Sequence, residues 1–358
     1  MTMTCPSTTS VEEISGPVVE TPDPPGGFRR RALMLVAAVL ATLVIPTAVP
    51  SSPAGAVQPQ WRSHAGITVL GADQANERLT HVRISTPAID NNALATQTYH
   101  DVSILLPDDY DPQVSYPVLY LLHGQGGSND NWLELGQAEQ ITAGRPLIVV
   151  MPQAGRAGWG VNWVYQSQGA QNWEQFHLDQ LIPWVDENLN TIDHKYGRAI
   201  AGFSMGGVIA VRHAAMRPSL FAFVGGFSGG YNFEDLRMRA TITGSLALPG
   251  NGFFIDGPMG APWHSAWRTN NPWRRAASFR DMHTVLYAGS NWGGGFDGIL
   301  ERESHSMSFQ FWNRIRNAGA NRTWFLEYND RTCGHHWGCA REALSREIGP
   351  MMDVLWGP

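Results

Sequence analysis

Cysteine is nearly absent from this chain: three in 358 residues, at Cys5, Cys333 and Cys339. Charge is also scarce. Asp, Glu, Lys and Arg make up 16% of the sequence and leave a formal net charge of -6. Because the two signs are interspersed, there is no basic stripe of the kind a phosphate backbone requires, and nucleic acid is excluded as an expected partner. No internal repeat appears, and no linker follows the first 56 residues. Nothing in the sequence points to a cofactor. What the chain does have is apolar residues, 43% of the total, enough for one sizeable core.

The longest apolar run, ALMLVAAVLATLVIPTAV from Ala32 to Val49, follows a polar, Pro-rich lead and the triplet Arg29-Arg30-Arg31. A basic segment, an apolar segment and then small residues is the order of a secretory signal. Ala54-Gly55-Ala56 fits an A-x-A cleavage site, so residues 1-56 are expected to be a removed segment, with the mature chain, 57-358, starting near Val57. An uncleaved anchor is the alternative, since the run approaches the roughly 18 residues that a membrane span needs. The arginine triplet does not separate the general export route from the twin-arginine one.

Secretion changes the cysteine arithmetic. Cys5 leaves with the signal, and Cys333 and Cys339 remain as a single pair in an oxidising compartment, where a disulfide is the expectation. The stretch between them, CGHHWGC, also offers His335 and His336 as zinc ligands. Structural zinc sites, however, draw their ligands from two separated segments. A crosslink over so short a loop gains only about 2 kcal/mol by the chain-entropy estimate, so its use is to hold local geometry.

From about Tyr99 onward, short apolar runs alternate with helical patterns. Strands are predicted over 102-107, 117-122, 146-152, 199-204, 221-228, 284-289 and 323-328, and helices over 172-189, 206-216 and 306-318. Several of the strands are apolar throughout, as strands covered on both faces are. The order implies one α/β domain with a mostly parallel sheet flanked by helices, and an irregular insertion at about 231-279.

Gly202-Phe203-Ser204-Met205-Gly206 is a G-x-S-x-G motif between a predicted strand and a predicted helix, the context of a nucleophile elbow. A serine hydroxyl needs a base, and the base needs a carboxylate, in the chain order Ser, acid, His for this architecture. The last predicted strand is followed by His335 and His336, while His177 and His213 fall inside helical patterns and read as packing or surface residues. The acid should follow the strand 284-289, where Asp297, Glu301 and Glu303 are open candidates. His123-Gly124-Gln125-Gly126-Gly127 follows the strand 117-122, and the backbone N-H groups of Gln125 and Met205 are the candidate oxyanion donors. The tryptophans of the insertion are candidates for a groove, with core packing the commoner role.

These residues carry a resemblance. The chain from about Tyr99 resembles the antigen 85 mycolyltransferases and the wider esterase D-like group of secreted α/β hydrolases. The shared features are GFSMGG, LIVVMP, Trp173-Glu174 with Pro183-Trp184, the pattern in GPMGAPWHSAWRTNNP (257-272) and His335-His336-Trp337. The resemblance implies that His335 is the base, because Trp337 stands two residues on, and that Glu301 after Ile299-Leu300 is the acid. It departs in the oxyanion loop, where mycolyltransferases have Asp-Gly-Leu-Arg and this chain has His123-Gly124-Gln125-Gly126. The polar trehalose contacts are thereby lost, while H-G-x-G-G is common among ordinary esterases of the group. The family's usual disulfide also lies elsewhere.

The expected function is a secreted serine acyl-transfer enzyme using Ser204, His335 and Glu301, either an esterase or a mycolyltransferase-like acyltransferase. Its expected partners are an ester or acyl-lipid substrate and a possible sugar acceptor at the cell envelope. Trp337 and His123 are candidate walls of the substrate site. A secreted cell-wall or matrix-binding protein without turnover is the other class. Hydrolase against transferase, acyl chain and oligomeric state are not legible at this level.

Overall fold

Apolar runs that cannot face water on either side must be paired on both edges and covered on both faces, and this requirement builds the middle of the sheet. The computed structural model describes residues 59-89, 99-167, 169-248, 256-290, 293-328 and 333-355. The expected signal segment therefore lies outside the described residues, which all belong to one compact unit that begins at Ser52. No helix among the described residues is long and apolar enough to cross a membrane.

The strands are β1 (Thr68–Gln74), β2 (Leu79–Ser85), β3 (His100–Leu105), β4 (Val118–Leu122), β5 (Ile148–Pro152), β6 (Arg198–Phe203), β7 (Phe223–Phe227), β8 (His283–Ala288) and β9 (Thr323–Glu327). They form one sheet in the order β1-β2-β3-β5-β4-β6-β7-β8-β9. From β5 to β9 the pairing is parallel, while β1, β2 and β3 add to β5 as an antiparallel flank. β4, β5, β6 and β7 are buried at every position. Alternate residues face opposite sides: Val118, Tyr120 and Leu122 join one apolar cluster, and Leu119 and Leu121 the other.

The helices are α1 (Asn131–Glu134), α2 (Ala138–Ile141), α3 (Ile182–Asn188), α4 (Met205–Met216), α5 (Leu236–Leu246), α6 (Ala266–Thr269), α7 (Gly295–Asn317) and α8 (Trp337–Leu355). The expected helix over 172-189 is a π-helical stretch, Gln175–Leu181, that runs into α3. Pro183 has no N-H for the carbonyl of Asp179, which loosens the α-helical ladder there. The insertion is more helical than expected, containing α5, α6 and the 3-10 segment Pro272–Phe279. The molecule thus has the α/β-hydrolase fold, a mostly parallel sheet flanked by helices.

A buried ion pair braces the elbow helix. Arg212 of α4, 1% exposed, donates to Glu174 at 2.6 Å and to the Gly160 carbonyl at 2.7 Å, and also reaches Asn270. The resemblance residues Glu174 and Asn270 are therefore parts of one polar contact. Leaving the guanidinium without Glu174 would strand a charge in the core.

Candidate active site

Every segment that carries a candidate side chain leaves the carboxyl end of a parallel strand: the glycine loop after β4, Ser204 after β6, Ser228 after β7, α7 after β8 and the histidine loop after β9. Such ends form the open crevice of an α/β sheet.

Ser204 sits at φ 55, ψ -121, a conformation rare for a residue with a side chain. The turn is tight enough that a β-carbon on Gly206 would lie 2.2 Å from the Leu122 carbonyl oxygen, and one on Gly202 would lie 2.4 Å from the Gly206 carbonyl carbon. Only glycine fits at either position. The serine is held by its N-H, which donates to the Phe227 carbonyl at 2.8 Å.

His335 meets both of its expected partners. Its Nε2 lies 2.8 Å from Ser204 Oγ and its Nδ1 lies 2.9 Å from Glu301 Oε2. A neutral imidazole satisfies both contacts when Nδ1-H donates to the carboxylate and Nε2 accepts from the serine hydroxyl. Glu301 is 0% exposed, and its other oxygen accepts from Ser228 Oγ at 2.8 Å and from the Gly289 N-H at 2.6 Å. Neither of the other two carboxylates of α7 is paired with His335: Asp297 is exposed, and Glu303, which borders the cavity, is paired with Arg237 at 3.0 Å.

The glycine loop lies against the nucleophile, since a β-carbon on Gly124 would be 3.6 Å from Ser204 Cβ. In that loop the Gly126 N-H donates to the Arg156 carbonyl and the Gly127 N-H to the Gly124 carbonyl. Met205 opens α4, so its N-H has no intrahelical acceptor. Gln125 and Met205 both line the cavity that exposes Ser204 and His335.

His123 and Trp337 do not line this cavity, which corrects the expectation that they wall it. His123 is 1% exposed. Its Nδ1 donates to the Gly124 carbonyl at 2.7 Å and its Nε2 accepts the Ala154 N-H at 2.9 Å. Burial lowers its pKa to about 4, so the ring is a neutral brace of the loop. Trp337 packs edge-on against Trp132 and, at 5.1 Å, against Phe203, whose ring lies 5.0 Å from that of His335. Phe203 thus stands in ring contact with both Trp337 and His335.

The cavity has a volume of about 460 Å³ and is mainly apolar, with walls from Trp159, Val208, Met238, Leu248, Leu300 and Met307. The insertion tryptophans are not among its walls: Trp267 is buried, Trp273 packs against the core and Trp263 is exposed. Trp159, from a loop that sequence reasoning passed over, lines it instead.

Cys333 and Cys339 are joined in a disulfide. The ligand atoms of Cys333, His336 and Cys339 lie within 4.8 Å of one another, but sulfurs bonded to each other are not thiolates and do not hold a metal. The bond closes the loop that carries His335.

Comparison with known proteins places the chain among esterases and related folds. The Esterase family model matches residues 94–346. Esterase Rv1288 of Mycobacterium tuberculosis is 35% identical over 266 residues, 71% of this chain and 56% of that protein. The chain thus spans little more than half the length of this relative. The diacylglycerol acyltransferase/mycolyltransferase Ag85B of Mycobacterium leprae is 24% identical over 65% of this chain and 75% of its own. The crystal structure of Mycobacterium tuberculosis MPT51 superposes with a TM-score of 0.61 at 22% identity, covering 74% of this chain and 95% of that one. With the family model covering most of its length, this chain belongs to the Esterase family.

Proposed function

We propose that this protein is a secreted serine esterase that acts through an acyl-enzyme. The observation that carries the reading is the unbroken line Ser204 Oγ, His335 Nε2, His335 Nδ1, Glu301 Oε2, with hydrogen-bond distances of 2.8 and 2.9 Å. In this account His335 removes the Ser204 proton as Oγ attacks the ester carbonyl, and Glu301 stabilises the imidazolium that forms. The N-H groups of Gln125 and Met205 take the oxyanion; a donor of this kind is typically worth about 3 to 4 kcal/mol of transition-state stabilisation. His335 then returns the proton to the leaving alcohol, and water repeats the sequence in reverse.

The apolar cavity beside Ser204 suits an uncharged acyl group. The loop His123-Gly124-Gln125-Gly126 supplies neither of the polar side chains that mycolyltransferases present to trehalose, which favours water over a sugar as acceptor. Similarity to Ag85B keeps transfer as the second reading. Export with cleavage near Val57, giving one catalytic domain over 57-358, fits a disulfide beside the active site.

Product analysis with a short-chain p-nitrophenyl ester, with and without trehalose, tests the assignment. Free acid in both cases, abolished in Ser204→Ala, is expected. Acylated trehalose would move the protein to the transferases, and no turnover by the folded wild-type protein would leave the reading as a non-catalytic wall protein.

A further inference from the structure

We infer that Ser228 is a positioning residue for the acid of the triad, set in place by Tyr328. The inference rests on the triad reading above and extends it to two residues that no motif marks. Ser228 follows β7 and lies at φ 54, in the left-handed region that costs a side-chain-bearing residue strain. Its N-H donates to the Tyr287 carbonyl at 2.8 Å, and the residue borders the cavity next to Ser204. Two glycines follow it, Gly229 and Gly230. The sequence thus puts a serine, and not a third glycine, where the backbone favours glycine.

The hydroxyl explains the choice. Ser228 Oγ donates to Glu301 Oε1 at 2.8 Å. A serine has one hydroxyl proton, so in the 3.0 Å contact with Tyr328 the serine oxygen accepts and the phenol donates. The donors thus converge on the carboxylate from two sides: Tyr328 O-H to Ser228 Oγ and Ser228 O-H to Glu301 Oε1 on one side, and His335 Nδ1-H to Glu301 Oε2 on the other. Tyr328 is buried, stacks on Tyr287 with centroids 5.6 Å apart, and stays a donor because burial and the nearby Glu301 carboxylate raise its pKa well above the ordinary phenol value.

A buried carboxylate with free rotation about its last bond would present either oxygen, or neither, to the imidazole. Two donors on Oε1, the Ser228 hydroxyl and the Gly289 N-H, leave Oε2 as the oxygen for His335 and hold the charge in a site with no solvent. Among the described residues, removing the serine hydroxyl leaves only the Gly289 N-H on Oε1.

Ser228→Gly separates the hydroxyl from the strain, because glycine adopts φ 54 freely while losing the donor. For an ester substrate, Ser228→Gly should lower kcat by about 10- to 100-fold, the usual effect of losing a hydrogen bond to a charged group, with KM moving less than about twofold. The low-field proton resonance of His335 Nδ1-H should shift or broaden, and the urea midpoint should not fall. Tyr328→Phe should lower kcat in the same sense by a smaller factor. Wild-type kcat and an unmoved resonance in Ser228→Gly, in a protein whose Glu301→Gln variant is inactive, would overturn the inference alone. An active Glu301→Gln variant would overturn the triad reading itself.

Discussion

Gly289 and Cys333 touch so closely that a β-carbon on Gly289 would stand 2.4 Å from the Cys333 carbonyl oxygen. The same glycine donates its N-H to Glu301 at 2.6 Å. One residue just after β8 therefore holds the Glu301 carboxylate and sets how near the histidine loop approaches it.

Gly289→Ala should push the loop away from Glu301, because the added methyl meets backbone and Glu301 Cγ, which would be 3.1 Å away. A displacement of about 1 Å in a catalytic group costs on the order of 100-fold in rate. Steady-state kinetics on the folded variant checks this; a kcat within twofold of wild type would show that the loop has room to give.

Glu301→Gln should lower kcat by roughly three to four orders of magnitude, since an amide no longer stabilises the imidazolium or fixes the tautomer. Asp297→Asn and Glu303→Gln should stay near wild type, because Asp297 is exposed and Glu303 is engaged with Arg237. Kinetics of the three variants side by side decides the matter. A large loss in either of the latter with an active Glu301→Gln would reassign the acid.

Replacing Cys333 and Cys339 together by serine should cost about 2 kcal/mol of stability by the entropy of a loop with a separation of six residues. Turnover should fall by more than that loss unfolds, by about tenfold or more at a temperature where the variant remains native, because His335 lies inside the closed loop. Urea titration and kcat measured on the same samples distinguish the cases. Unchanged kcat would make the bond merely structural.

Three of the buried histidines, His123, His177 and His213, make the fold sensitive to acid. Burial lowers the pKa of His123 and of His177 to about 4, and that of His213 well below the imidazole value of 6.5. The unfolded chain binds protons that the folded one refuses, so stability rises with pH across this window and is lost as pH falls from about 6.5 toward 4. The slope approaches about 1.4 kcal/mol per pH unit for each such histidine. Urea unfolding at pH 7, 6 and 5 should show a progressive fall; equal free energies at pH 7 and 5 would contradict the neutral assignment. His177 sits between the Gln153 carbonyl and His213 Nε2, contacts that neutral rings satisfy.

β3 to β9 are legible in the sequence as short apolar runs, β4 to β7 most plainly because they are buried at every position, although the edge strand β9 is only partly covered. β1 and β2 are not legible. TVLGADQ is almost wholly exposed and LTHVRIS alternates, so neither forms an apolar run, and the antiparallel flank goes unseen. α7 reads as a helix only from residue 306, because its first turns, GFDGILERES, have no core-facing apolar stripe: Phe296 and Leu300 border the cavity and Ile299 is exposed. Ser204 and the glycine loop are legible because the turn geometry demands glycine at fixed places. Glu301 is not separable from Asp297 and Glu303 by type or spacing; resemblance selects it, and its zero exposure beside His335 is a tertiary fact. Trp337 reads as a wall because it stands two residues from His335, but nearness in sequence does not set which way a ring packs, and its ring meets Trp132 and Phe203 instead.

The most direct test of the account is covalent labelling of the folded protein by a serine-directed alkyl phosphonate, followed by intact mass and peptide mapping. One adduct per chain on Ser204, absent in Ser204→Ala and formed far more slowly in Glu301→Gln, is the predicted result. A natively folded chain that takes up no phosphonate at Ser204, or takes it up equally fast without Glu301, would contradict it.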